Sequence, residues 1–266
     1  SIKASYSEMT QYIHLLTNAG IGLPTDLWVP STTKIQPQTS RQFAIGIAKT
    51  YSQYDISLEG YYKEMSNLIE YKDGASYLDA SEDWQEKVAI AGNGQSYGLE
   101  LFLEKKTGFF TGWLGYTLSK STRQFDELNF GKKFAYKYDR RHDISLALTR
   151  EWEKKRSVSL VWVFGTGNAI TLPRATFEVF NANSGIFYGD RNSSRLGSYH
   201  RLDLSYSWWK EKKWGQSKWT VGVYNAYNHL NPFFVSLELN ADRTKYQLVQ
   251  YSLFPIIPSV SYSIKF

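Results

Sequence analysis

The chain has 266 residues, of which 17% are aromatic, and a formal net charge of +6. The absence of cysteine excludes disulfide frameworks, zinc–thiolate sites and thiol nucleophiles. The longest apolar run, around Leu160–Phe164, has the length of a strand and falls far short of the roughly 18 residues that a membrane-spanning helix needs.

Ten segments of the sequence alternate apolar and polar residues with a period of two. This pattern indicates strands with one apolar and one polar face, each of about ten residues. The apolar positions, in chain order, are Ile2, Ala4 and Tyr6; Phe43, Ile45 and Ile47; Ile56, Leu58 and Tyr62; Tyr97, Leu99, Leu101 and Leu103; Leu114, Tyr116 and Leu118; Ile144, Leu146 and Leu148; Val158, Leu160, Trp162 and Phe164; Leu202, Leu204, Tyr206 and Trp208; Trp219, Val221 and Val223; and Val260, Tyr262, Ile264 and Phe266.

The connections between these strands alternate between long and short. Most connections in compact domains have about four to six residues, and structureless loops beyond about 15 are uncommon. Strict alternation puts all the long loops at one end of an up-and-down antiparallel sheet, as in outer-membrane barrels. The long connections cover about residues 9–40, 72–93, 120–140, 166–197 and 230–256, and the short ones lie near Thr50–Gln53, Lys105–Gly108, Glu151–Lys154 and Lys210–Gly215.

The two faces of the predicted strands favour a transmembrane barrel. The apolar sets combine Leu, Ile and Val with aromatic residues towards their ends, where rings meet lipid headgroups. The polar sets hold Asp, Glu, Arg, Ser and Thr, which are costly in a packed core but well solvated in a lumen. The alternatives are a soluble β-sandwich, which predicts shorter strands, and a β-propeller, which predicts a repeat that the sequence lacks.

Seven stretches together resemble the C-terminal half of TonB-dependent outer-membrane receptors, especially those of the Bacteroidetes type. They follow the family's order and cover essentially the whole chain. The stretches are YIHLLTNAGIGLPTDLWVPSTTKIQPQTSRQF (Tyr12–Phe43), GNGQSYGLELFLEKK (Gly92–Lys106), GYTLSKSTRQF (Gly115–Phe125), YDRRHDISL (Tyr138–Leu146), YHRLDLSYSW (Tyr199–Trp208), YNAYNHLNPFF (Tyr224–Phe234) and LFPIIPSVSYSIKF (Leu253–Phe266).

This resemblance implies an all-β fold, an antiparallel up-and-down transmembrane barrel of about 22 strands around an N-terminal plug domain. We expect residues 1–266 to be the C-terminal part of such a barrel, with the plug and the TonB box outside this chain, which starts as a mature or truncated product. The long loops would then face the cell exterior. Because lipid tolerates no unpaired backbone, Ile2–Ser7 should pair with a strand outside this sequence or be disordered.

The resemblance also implies a function and a set of partners. The function is TonB-dependent uptake of a scarce nutrient, such as a siderophore, cobalamin or an oligosaccharide, across the outer membrane of a Gram-negative bacterium. The partners are the rest of the receptor, TonB through the plug, the lipid bilayer, the barrel-assembly machinery and the nutrient, with no nucleic acid. Related systems add a surface lipoprotein, which leaves no mark here. The alternatives are a passive porin-like channel and a soluble extracellular carbohydrate-binding β-protein.

One residue, Phe266, receives an assigned role. The resemblance implies that a terminal aromatic residue is part of the signal read by the barrel-assembly machinery, and the alternative is a ring that only anchors the strand at the membrane interface. Ligand contacts are expected on the long loops, although no single residue is assigned. Aromatic and polar candidates there are Tyr12, His14, Trp28, Tyr77, Trp84, Tyr188 and Phe233.

No catalytic, cofactor or metal site is expected. The sequence has no GxSxG motif for a nucleophile, and the adjacent carboxylates Glu82 and Asp83 lie in an acidic loop that looks solvated. None of the histidines has a metal-binding spacing such as HxxxH. These histidines are His14, His142, His200 and His229.

Two short basic segments, Glu153–Arg156 and Lys210–Lys213, fall on the predicted short turns. They should lie near anionic headgroups of the periplasmic leaflet, which attract juxtamembrane cations. Reversing the charges of Lys210, Lys212 and Lys213 should therefore impair folding into anionic liposomes more than into neutral ones. Equal folding of the variant into both would reject this hypothesis.

Overall fold

The computed structural model describes residues 1–18, 20–22, 26–75, 83–152, 155–179, 183–213, 215–242 and 244–266, without the side chains of 176–179 and 183–186. Tyr77, Glu82, Glu153 and Lys154 lie outside these residues. The described strands are β1 (Ile2–Gln11), β2 (Ile13–Leu16), β3 (Leu27–Pro30), β4 (Gln38–Tyr51), β5 (Tyr54–Tyr71), β6 (Val88–Lys105), β7 (Thr111–Gln124), β8 (Phe134–Ala135), β9 (His142–Trp152), β10 (Arg156–Gly165), β11 (Ala169–Ile170), β12 (Pro173–Val179), β13 (Asn183–Tyr188), β14 (Ser194–Arg195), β15 (Tyr199–Lys212), β16 (Gly215–Tyr224), β17 (Pro232–Leu239), β18 (Tyr246–Ser252) and β19 (Ile257–Lys265).

Ten of these strands form one continuous wall, in the order β1-β4-β5-β6-β7-β9-β10-β15-β16-β19. Each wall strand pairs antiparallel with the next one along the chain, which confirms the predicted all-β, up-and-down arrangement. β1 and β19 are the two edges, and the described residues show no pairing between them. β1 is nevertheless an ordered strand that pairs with β4 from Ile2 to Gln11, so the alternative of a disordered first segment is wrong.

The connections have the predicted alternation. Five long ones, after β1, β5, β7, β10 and β16, alternate with four short turns, so the long connections share one end of the wall. Within the long connections, eight short strands form four antiparallel pairs, namely β2 with β3, β11 with β14, β12 with β13 and β17 with β18. Two short 3-10 turns, Trp84–Lys87 and Asn129–Gly131, lie in the second and third long connections. Among the described residues, no helix is long and apolar enough to cross a bilayer.

The register gathers the apolar positions on one face of the wall. Ile47 on β4 pairs with Leu58 on β5, which pairs in turn with Leu101 on β6. Ile47 is 55% exposed and Leu58 is 42% exposed, so this outer face has no protein cover. The inner face is polar, and on it Arg201 forms an ion pair with Asp203 at 3.0 Å. An outer surface of exposed large apolar residues fits contact with lipid acyl chains.

Aromatic rings form a row on the outer face near the end that carries the long connections. Its members are cross-strand partners on four successive wall strands, and two of the ring pairs have centroids 4.6 and 6.5 Å apart. Aromatic rows of this kind mark the interface between the apolar band of a barrel and the headgroups. The row consists of Tyr6, Phe43, Tyr62 and Tyr97.

A second aromatic row lies near the short turns. Trp219 packs between Trp208 and Tyr262, with ring centroids 6.4 and 4.7 Å away. On β4, Phe43 belongs to the first row and Tyr51 is the last residue before the short turn. The two residues are about 26 Å apart along the extended strand. A tilt of about 40° reduces that separation to about 20 Å, close to the apolar band of outer-membrane barrels.

Five wall strands, β4, β5, β6, β7 and β15, are clearly longer than the predicted length of about ten residues, and β5 and β6 are the longest. β5 and β6 have 18 residues each, and their upper ends continue past the aromatic row among the long connections. Residues 88–93, predicted to belong to a loop, therefore belong to β6. The reason is packing: Leu68 and Ile69 on β5 and Val88 and Ala89 on β6 are buried against the loops.

Gly112 on β7 provides a test of the wall's backbone pairing. Its φ is 150°, and an added Cβ would overlap the carbonyl oxygen of Ala147 and lie 2.9 Å from the Cα of Leu148 on β9. In the full-length protein, Gly112→Ala should therefore remove most of the folded fraction, measured by heat-modifiable electrophoretic mobility. Gly115→Ala is the matched control, since its Cβ would meet nothing nearer than 3.6 Å. Equal folding of the two variants would contradict the described register.

Candidate functional site

The long connections and the upper ends of β5, β6 and β7 pack into a layer that we call the loop cap. All the well-buried apolar side chains of the described residues belong to it, and all of them except Ala169 and Ile170 form two clusters. One cluster joins the first and second long connections through Leu16, Val29, Ile35, Ile69, Tyr71 and Val88. The other joins the second and third through Leu68, Ala89, Phe125, Leu128 and Phe134. The loops are thus held in a defined arrangement by their own core.

A buried ionic network ties four parts of the loop cap together. Glu70 at the upper end of β5 is 1% exposed and lies 2.9 Å from Arg123 on β7. The hydroxyl of Thr17, from the first long connection, donates to the same carboxylate at 3.0 Å. Arg191, from the fourth, lies 3.5 Å from Glu70. Because the carboxylate is shared by two guanidinium groups, its removal would take from Arg123 its carboxylate partner among the described residues and would leave Arg191 with Asp73 alone.

Arg191 also fixes the fourth connection to the second. Its guanidinium forms an ion pair with Asp73 at 2.6 Å and donates to the carbonyl oxygen of Tyr71 at 3.0 Å. Its backbone N–H donates to the side-chain oxygen of Asn129 in the third connection at 3.0 Å. A single residue therefore links three of the loops.

A second set of polar contacts joins the first, third and fourth connections. Lys137 lies 2.7 Å from the carboxylate of Asp26, which also accepts a hydrogen bond from the Tyr138 hydroxyl. Burial and this hydrogen bond raise the pKa of Tyr138. Arg195 pairs with the buried Asp139, which accepts from the backbone N–H of Ser121 at 2.5 Å. These contacts hold the loop cap on the rim of the wall.

A groove of about 790 Å³ opens between the first four long connections. This volume lies in the range of small-molecule sites, about 300 to 1,000 Å³. Its walls combine aromatic rings, all of them exposed except that of Tyr71, with charged groups of both signs. The rings are Tyr71, Phe130, Phe187 and Tyr188, and the charged residues are Lys72, Asp73, Asp126, Glu127, Arg174, Asp190 and Arg191. The groove is the feature of the loop cap best suited to hold a ligand.

The structure disperses most of the loop residues named from sequence. Tyr188 lines the groove, whereas Tyr12, Trp28 and Phe233 are exposed away from it. His14 is buried in the hairpin of β2 and β3, and burial lowers its pKa. Trp84 packs against the first apolar cluster, and Asp83 caps the 3-10 turn that Trp84 begins.

Sequence reasoning missed Glu70, Arg191 and Phe130. The signal for Glu70 was present, because it is a lone charge inside the run Leu68–Tyr71 where strict alternation stops. Phe130 and Arg191 lie in long loops, and no periodic pattern marks them. Their importance depends on contacts between loops that only the fold brings together.

Two of the histidines lie where wall strands begin. His142 begins β9 and His200 is the second residue of β15. His200 stacks on His229 with ring centroids 3.6 Å apart, and its Nδ1 lies 2.9 Å from the hydroxyl of Tyr227. Within the described residues, no group of three or more potential ligands could hold a metal ion.

The ionic network predicts a large local effect of Glu70→Gln. The substitution keeps the shape but removes the charge shared by Arg123 and Arg191, which should destabilise the loop cap by about 3 to 5 kcal/mol. Hydrogen exchange of residues 13–18 and 191–195 should speed up accordingly. The control is Glu86→Gln, whose partner Lys34 is 64% exposed, and it should change exchange little. Similar exchange in the two variants would contradict the network's role.

Comparisons with known proteins agree with this architecture. A family model described as TonB dependent receptor-like, beta-barrel, matches residues 1–226. No curated protein matches the sequence. The family and the similar solved structures are transport receptors of the outer membrane rather than enzymes.

The similar solved structures are siderophore receptors. The ferripyoverdine receptor of Pseudomonas aeruginosa, bound to ferripyoverdine, has 15% identity and a TM-score of 0.58, over 98% of this chain and 30% of that one. The pyoverdine receptor FpvA of P. aeruginosa PAO1, bound to pyoverdine, has 13% identity and a TM-score of 0.60, over 100% and 34%. The ferric-catecholate import receptor Fiu of Escherichia coli K12 has 14% identity and a TM-score of 0.55, over 98% and 32%.

At these identities the structures show a shared fold, and this chain spans about a third of their length. The family model covers most of the chain, and the ten-stranded wall with its long loops at one end is the architecture that the family predicts. The chain belongs to the TonB-dependent receptor-like β-barrel family.

Proposed function

We propose that the protein is an outer-membrane receptor of a Gram-negative bacterium that imports a scarce nutrient with energy supplied through TonB. This chain provides barrel wall and extracellular loops. The observation that carries the proposal is the joint presence of a lipid-type outer face and a packed loop cap with a groove, in a chain of this family. A passive channel needs no organised binding groove at its outer end, and a soluble β-protein would bury its large apolar face.

The open edges of the wall support the rest of the assignment. β1 and β19 each have one side without a wall strand, and lipid-exposed edges are not tolerated in hydrocarbon. Residues 1–266 would therefore be the C-terminal part of the barrel, completed by further strands that pair with these edges. A plug domain elsewhere in the receptor would fill the lumen and contact TonB.

We also propose that Phe266 contributes to the signal for barrel assembly. It directly follows Lys265, the last residue of β19, which pairs with Gln216. Phe266 is 93% exposed, so its ring is accessible at the end of the closing strand. An aromatic residue displayed there can be recognised before the barrel closes.

The similar receptors suggest the kind of cargo. Those structures contain or name ferric siderophores, and one is a complex of FpvAI with pyocin S2. For this chain, we propose only that the loop cap binds a scarce nutrient.

The proposal is tested by growth of the native host. Strains with and without the full-length receptor gene should be compared on limiting sole sources of iron and of carbon, in the presence and absence of a functional TonB. We expect the gene to confer a growth advantage on at least one source, and we expect that advantage to vanish without TonB because the plug then stays closed. An advantage that persists without TonB would instead indicate a passive channel.

A further inference from the structure

We infer that the groove of the loop cap binds a neutral, polyhydroxylated ring ligand, that is, an oligosaccharide, and that Phe130 is its stacking residue. The inference rests on the proposed function only for the later import of the ligand. Binding itself follows from the aromatic rings, the charges and one buried donor of the groove.

A strained turn keeps the side chain of Phe130 exposed. Its side chain is 91% exposed, and Asn129, Phe130 and Gly131 have φ values of 51°, 56° and 71°. Left-handed conformations are unfavourable for residues with a side chain, and they persist where the surroundings impose them. Here Gln124 donates to the carbonyl oxygen of Gly131 at 2.8 Å, and the backbone N–H of Arg191 donates to Asn129. Two neighbouring segments thus fix an apolar ring in an exposed position.

Further rings line the same groove. Phe187 is 59% exposed and Tyr188 is 42% exposed, and both belong to the fourth long connection, whereas Phe130 belongs to the third. Exposed rings that are fixed before binding gain apolar contact with little loss of conformational entropy. A flat ring with apolar faces, such as a pyranose, matches such platforms, because its faces carry C–H groups and its edges carry hydroxyls.

A buried donor in the groove calls for an oxygen acceptor. Arg191 lines the groove with a side chain that is 9% exposed. Its Nε–H has no hydrogen-bond partner among the residues that the structure describes. This nitrogen is closed off from solvent. A buried donor without a partner costs free energy, so a ligand hydroxyl or ring oxygen that reaches it after a shift of the Arg191 side chain would be bound favourably.

The charges of the groove select against a multiply anionic ligand. Its lining holds the carboxylates of Asp73, Asp126, Glu127 and Asp190 against the bases Lys72, Arg174 and Arg191. Two of the bases already have carboxylate neighbours, since Arg191 pairs with Asp73 at 2.6 Å and Lys72 lies 3.9 Å from Glu127. A ferric tris-catecholate would meet a surface with a slight excess of like charge. Neutral hydroxyls, in contrast, can donate to the carboxylates.

The experiment measures ligand binding to the purified full-length receptor in detergent. Isothermal titration with neutral hexasaccharides of glucose, xylose, mannose and N-acetylglucosamine should show binding of at least one. Phe130→Ala should weaken that binding about tenfold or more, because a stacked ring is lost. Phe130→Trp should stay within about threefold of the wild type, since it restores an aromatic face. Ferric tris-catecholate should not displace the bound glycan.

The matched control is Phe254→Ala. Phe254 is also an exposed phenylalanine with a left-handed backbone, at 62% exposure and a φ of 42°, and it lies in the fifth connection, away from the groove lining. It should leave glycan affinity unchanged. Heat-modifiable mobility of each variant verifies that it has folded.

Three outcomes would overturn the inference: no hexasaccharide binds, Phe130→Ala binds as tightly as the wild type, or ferric tris-catecholate binds in a manner that depends on Phe130. These outcomes are separate from a failure of the proposed function. Loss of TonB dependence in growth would refute active import and leave glycan binding by the purified receptor intact.

Discussion

Backbone hydrogen bonding in a medium without water is the constraint on which the rest of the structure depends. Every N–H and C=O group of the wall that faces hydrocarbon must pair with a neighbouring strand. Pairing only with the next strand along the chain satisfies this demand, and it yields the observed order from β1 to β19. It also fixes the two faces, since the regular register of β5 from Tyr54 to Met65 keeps Ile47, Leu58 and Leu101 on the lipid side.

The same constraint moves the protein's core out of the wall. A side chain on the wall faces either lipid or lumen, so few wall residues within the lipid band are buried by protein. The well-buried apolar residues lie instead in the loop cap, where the loops must satisfy their own polar groups away from lipid. The buried carboxylate of Glu70 then organises Arg123 and Arg191, and through Arg191 the turn that carries Phe130. The rigidity of the candidate site thus derives from an ionic network rather than from the barrel.

This division explains how far the sequence can predict the molecule. Wall strands obey a period of two because the environment alternates between lipid and lumen, so the apolar face of β19, with Val260, Tyr262 and Ile264 as the outward residues, is readable from the sequence. The upper ends of β5 and β6 could not be predicted from the sequence, because Leu68, Ile69 and Glu70 are all buried and the alternation of apolar and polar residues stops there. The groove was also unreadable, since it forms from segments of four loops that no local pattern relates.

Phe130 is an exposed apolar residue in the otherwise well-packed loop cap. A large apolar ring on an outer loop is costly in water unless something covers it, and the turn around it carries conformational strain in addition. The loop cap buries Phe125 and Phe134, whereas Gln124 and Arg191, through their bonds to Gly131 and Asn129, fix the turn that keeps Phe130 outside both clusters. Two neighbouring phenylalanines are buried, whereas Phe130 is kept exposed at a cost in free energy. Contact between this ring and a ligand would account for that cost.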